Sequence, residues 1–122
     1  YLDKADACAR RLLELAPDSP QGRRVAGLVC VHRGDVQGAF RQLKQSLDRA
    51  PNDPDSLLWG GLVAGLSGKM ALAEHWAARL VEIDPVTPFF QLMPGTMAWW
   101  AGDYERAWTL WSERQAAVLE NP

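Results

Sequence analysis

The side chains that could do chemistry in this chain are few, and they stand apart. His32 and His75 are its two imidazoles. Neither is followed at three or four residues by the set of donors that would complete a metal site. Glu74 adjoins His75, but neighbouring residues diverge by about 100° around a helix, so the two side chains point apart. Ser19 and Ser56 fall at helix starts, where capping explains them. Cys8 and Cys30 read as small core residues of a reducing compartment. No glycine-rich loop follows a strand to cradle a phosphate. The expectation is therefore no catalytic, cofactor or metal site, and a chain that is not an enzyme.

What positions these residues is a spacing of 34. Pro17, Pro51 and Pro85 keep it, as do Ser19-Pro20, Asp53-Pro54 and Thr87-Pro88. So do Gly27, Gly61 and Gly95, then Gly34, Gly68 and Gly102, then Ala5, Ala39, Ala73 and Ala107. Marker sets in phase over the whole length identify a repeat protein.

Each repeat reads as two helices. Ser19, Asp53 and Thr87 can accept hydrogen bonds from free helix-start amides. The proline after each suits the first helical position, where its missing N–H costs nothing. Gly34, Gly68 and Gly102 can take the left-handed conformation that ends a helix. Asp35 and Asp103 then cap the next one, which stops before Pro51 or Pro85. The spacing predicts seven helices, at 2–15, 20–33, 35–49, 54–67, 69–83, 89–101 and 103–120. Glycine costs about 1 kcal/mol against alanine inside a helix. Gly27, Gly61 and Gly95 therefore suggest close helix contact, with Ala39, Ala73 and Ala107 opposite them.

With these residues in place the chain resembles the tetratricopeptide repeat (TPR) family, a 34-residue helix-turn-helix unit. The stretch Ala101-Gly-Asp-Tyr-Glu-Arg-Ala-Trp108 carries the most typical turn and alanine. The resemblance implies an all-α, right-handed superhelical solenoid of about three and a half repeats in a single domain, 1–122. Residues 1–18 look like the second helix of a half repeat, and 20–53, 54–87 and 88–122 like full units. Neither end looks capped, which suggests a fragment of a larger protein.

Composition fits that reading. Apolar content is 48% and net charge −2, ordinary for a globular domain. No run approaches the ~20 apolar residues of a membrane span, so membrane insertion is not expected. Residues 1–50 hold nine Lys/Arg against six acids, and 51–122 hold four against nine. The basic residues are scattered among acids, which reads as solvated helix faces rather than a nucleic-acid surface.

The function implied by the family is binding of a protein or peptide along the concave face, lined by the first helix of each unit. Carried over, that face holds Arg24, Leu28 and Val31, then Leu58, Trp59, Leu62 and Leu66, then Phe89, Leu92 and Trp99. The family's carboxylate clamp needs Lys, Asn and Arg. Arg24 is present, but Leu28, Trp59, Phe89 and Met93 fill the other places. The expectation is an apolar and aromatic groove for an amphipathic helix. Leu58, Leu62 and Leu66 form a stripe expected to be surplus to folding.

Trp108 and Trp111 lie on the last helix, and exposed rings there suggest self-association as a homodimer. Pro94 interrupts the third first-helix and predicts a kink near Phe90-Gln91 or a start near Met93. The Arg/Ala/Leu-rich style also resembles TPR regions attached to bacterial cyclases, kinases or transcription regulators. A regulatory or dimerising role within a cytoplasmic signalling protein is the alternative function.

Overall fold

The computed structural model of the chain describes residues 2–120, with side chains through Ala117. Every described element is helical: α1 (Leu2–Leu15), α2 (Pro20–His32), α3 (Val36–Arg49), α4 (Pro54–Leu66), α5 (Met70–Ile83), α6 (Pro88–Gln91), α7 (Met93–Trp100) and α8 (Tyr104–Glu120). Consecutive helices pack as antiparallel pairs stacked into a TPR-like solenoid, as the spacing predicts. Helix limits fall within a residue or two of expectation, except that the sixth helix is two pieces.

Pro94 explains the break. It has no N–H to give the Phe90 carbonyl, and its ring crowds that turn. The chain bridges the gap with Leu92 N donating to Phe89 O at 3.2 Å, after which Thr96 N donates to Leu92 O at 3.0 Å.

Glycine acts where the turns demand it. Gly34, Gly68 and Gly102 have φ of 79°, 78° and 84°, the left-handed region that strains other residues. Helix starts are less uniform than their spacing suggests. Ser19 accepts from Gly22 N at 3.1 Å and Asp35 from Gly38 N at 2.9 Å. Asp53 and Thr87 make no side-chain cap bond, a correction with a clear reason. The Asp53 carboxylate is taken by Arg24 and Ser56, while Thr87 Oγ1 donates to Asp84 Oδ2 at 2.5 Å.

The core runs through the helix pairs. Leu43, Leu57, Leu80 and Met97 are its largest fully buried apolar side chains, and Ala39, Ala73 and Ala107 are fully enclosed among them. The cysteines are not core residues: Cys8 is exposed and Cys30 partly so, both as free thiols. Cys8 lies on the α1 face turned away from α2, which contributes Ala9 to the interior instead. Burial, with help from Asp35 and Asp6, pushes the Cys30 thiol above its ordinary value.

Candidate functional site

The first helices α2, α4 and α6–α7 carry the residues named for the groove, and the structure divides them by role. Arg24 is engaged. Its guanidinium meets Asp53 at 3.0 Å and Asp55 at 3.8 Å, tying α2 to the start of α4. Behind it, Ser56 Oγ donates to Asp53 Oδ2 at 2.6 Å. The buried Ser46 hydroxyl lies 2.9 Å from both the Ser56 oxygen and the Pro20 carbonyl oxygen. This network satisfies its buried hydroxyls and holds three helices in register, so Arg24 is a structural cation. Leu28 is half-buried, and Val31 and Trp59 pack against the Leu43–Val63 cluster.

The leucine stripe on α4 is graded rather than free. Leu58 is buried within the main core and Leu62 packs against it, while Leu66 is 66% exposed. The stripe is thus not surplus to folding. Leu58 belongs to the same buried cluster as Met93 and Met97, and a charge at Leu62 would be set against that cluster.

The third unit supplies most of the open apolar surface. Phe89, Leu92, Trp99 and Trp100 are each about half exposed. Trp100 lies across α4, so close that a Cβ on Gly65 would fall 2.6 Å from its ring. Leu66 and Trp100 follow each other along this face. Trp99 turns the other way, with its ring centroid 4.7 Å from Tyr104 and 5.9 Å from Trp111.

Trp111 departs from its expected role. Rather than standing free, its Nε1–H donates to Leu92 O at 3.2 Å and its indole fills the space over Gly95. That bond joins those from Thr96 N and Thr96 Oγ1 on the same carbonyl, at 3.0 and 2.9 Å. Trp108 is the open ring, at 72% exposure. The last unit therefore ends in an aromatic cluster of Trp99, Tyr104 and Trp111, with Trp108 beside it on α8. Tyr104 is the ring that sequence reasoning left out of the candidate surface, whereas Trp100 falls on the first-helix face expected from the family. Tyr104 precedes Trp108 by one helical turn, a signal that was there to be read.

Chemically this surface can bind but offers no reactive group. His32 spends Nδ1–H on Leu28 O at 2.8 Å, on the outer end of α2. No three His, Cys, Asp or Glu side chains gather among the described residues in a way that could hold a metal ion. None of the described helices is long and apolar enough to cross a membrane.

No family model matches the chain, and no curated protein matches it in sequence. Solved structures do match in fold. A segment titled MamA 41-end from Desulfovibrio magneticus RS-1 superposes with a TM-score of 0.83 at 17% identity, over 98% of this chain and 68% of that one. Two structures titled as crystal structures of MamA give 0.83 and 0.82 at 15% and 14% identity, each matched over 67% of its length. MamA is a TPR-like helical-repeat protein. The chain thus shares a TPR-like solenoid fold with proteins whose sequences it scarcely shares.

Proposed function

We propose that the chain is a non-enzymatic protein-interaction module that holds an amphipathic helix or apolar peptide against its first-helix face. The observation that carries this reading is the exposure of Leu66, Trp100 and Phe89 on the first helices beside a closed core. Large apolar side chains left open are what a partner helix requires of a groove. Arg24, already paired with Asp53, argues against capture of a chain-terminal carboxylate. We read the chain as one domain with units at 20–53, 54–87 and 88–122 after a half unit. Its free thiols fit a cytoplasmic protein.

The test uses Leu66→Arg in a pull-down compared with the unaltered chain. Leu66 is exposed enough that melting should hold within about ±0.5 kcal/mol. Loss of a central anchor should weaken partner capture by about 2 kcal/mol. Equal capture by both proteins would sink the groove reading.

Trp108, open beside the aromatic cluster, favours a second reading in which two copies pair through α8. Sedimentation at high micromolar concentration should show a dimer that Trp108→Glu dissolves. A strict monomer would exclude it.

A further inference from the structure

A second surface stands apart from the first-helix face. Between α3 and α5 three adjoining depressions, of about 330, 650 and 290 Å³, make one trough. Its floor is apolar, with Phe40, Met70 and Leu72 half-buried along it. Its rim holds Arg41, Lys44, Lys69 and Arg79 against one acid, Asp48, on a chain of net charge −2. Arg41 and Lys69 have no carboxylate partner among the described residues.

The neighbouring depressions around α1 and α3 are built differently. They hold cations and acids in equal number, among them the pairs Arg49–Asp18 at 2.9 Å and Arg33–Asp6 at 3.3 Å, while Arg23 donates to Gln42 and the Pro17 carbonyl. Among these depressions the basic surplus belongs to the trough between α3 and α5.

Lys69 shows that the surplus costs the fold something. It stands 34 residues from both Asp35 and Asp103, whose carboxylates accept from Gly38 N and Arg106 N. Its backbone (φ −89°, ψ 64°) is close to that of Asp35 (φ −89°, ψ 82°), so an aspartate would fit. Instead α5 has no side-chain cap, and a cation sits at the positive end of a helix dipole. Where a chain breaks its own local rule, function is the first place to look. The ammonium lies 5.0 Å from the Phe40 ring centroid, held over the trough floor.

We propose that this trough docks an acidic peptide segment bearing a bulky apolar side chain. Carboxylates on the segment meet Arg41 and Lys69, and the apolar side chain lies along Phe40 and Leu72. Charge complementarity selects this partner over a neutral one. The floor disfavours a nucleic acid, because beside the buried Trp76 it offers bases Phe40 alone among its phenyl and indole rings, not a row of stacking platforms.

An array of twelve-residue peptides graded in net charge and apolar content tests the proposal. Peptides combining glutamates with leucine or tryptophan should be held, and their glutamine counterparts should not. Lys69→Asp and Arg41→Glu should each weaken retention at least tenfold. Lys69→Asp should at the same time melt at a higher temperature, because it restores the cap, so lost binding cannot be lost folding. Leu66→Arg should leave the array signal intact, which separates this trough from the first-helix groove. The proposal is overturned by any of four results: no acidic peptide held above its glutamine control; equal retention by Lys69→Asp; single-stranded DNA of matched charge held more tightly than the peptides; or sedimentation showing a dimer that Lys69→Asp dissolves, which would make a second copy the occupant.

Discussion

Gly27, Gly61 and Gly95 stand at one place in successive units, yet they face different neighbours. A Cβ on Gly27 would fall 2.8 Å from Leu43 Cγ, in a side chain with no exposure. On Gly95 it would fall 2.2 Å from Trp111 Nε1, in a ring at the surface. On Gly61 the nearest atoms are Ala73 O at 3.8 Å and Met93 Cε at 3.9 Å, an ordinary van der Waals contact. The close approach expected at Gly61 is therefore absent there and present on either side. A repeated residue marks a repeated backbone path. What fills the space beside it is decided unit by unit, by whether leucine, methionine or tryptophan stands opposite.

Alanine at each position turns that comparison into a series. Gly27→Ala should cost the most, about 2 kcal/mol, because Leu43 is enclosed and overpacking must shift backbone. Gly95→Ala should cost less, about 1 kcal/mol, since the indole can swing outward and give up its bond to Leu92 O. Its signature is a red-shifted tryptophan emission, which Gly27→Ala should not show. Gly61→Ala should stabilise by about 0.5–1 kcal/mol, the helix-propensity gain with no clash to offset it. Thermal and urea melts of the three variants decide the order. A loss at Gly61→Ala as large as that at Gly27→Ala would mean the three contacts are equivalent after all.

The same distinction governs how far the sequence could be read. Phase and punctuation made the helices legible, because proline, glycine and Asp35 act through local backbone geometry. Pro94 announced the break between α6 and α7 for the same reason. Side-chain roles were harder to see. Arg24 looked like half of a clamp until Asp53 and Asp55, far along the chain, came beside it. Leu58 and Leu66 share one helical stripe, but the first is buried in the main core and the second is open. Trp111 looked like a free end, and only the fold brings its indole to the Leu92 carbonyl beside the Pro94 break. Tertiary partners set these roles, and a 34-residue period does not encode which partner is near. Lys69 is the exception. Its departure from aspartate was visible in the period, though the trough that gives it meaning was not.

The smallest effect sharpens the comparison at the third junction. Asp84 has no acidic counterpart at Ala16 or Ala50, the same place in earlier units. Its carboxylate accepts from Thr87 Oγ1 and from the backbone N–H groups of Thr87 and Val86. These bonds, the Thr87 hydroxyl first, hold its carboxyl below the ordinary aspartate value. A lowered value in the folded state means the fold favours the charged form. The stabilisation is thus present above the ordinary carboxylate range near pH 4 and is lost as pH falls through the folded value. Asp84→Asn keeps an acceptor for the amides but cannot carry the charge. It should melt slightly below the unaltered chain at pH 7, and that gap should close as the pH is taken down toward 3. The groups at Ala16 and Ala50 offer no such lever, so the acid sensitivity should be confined to the α5–α6 junction. Amide exchange at Val86 and Thr87 would locate it there. A gap that stays constant from pH 7 to 3 would mean the clasp acts through its shape and not through its charge.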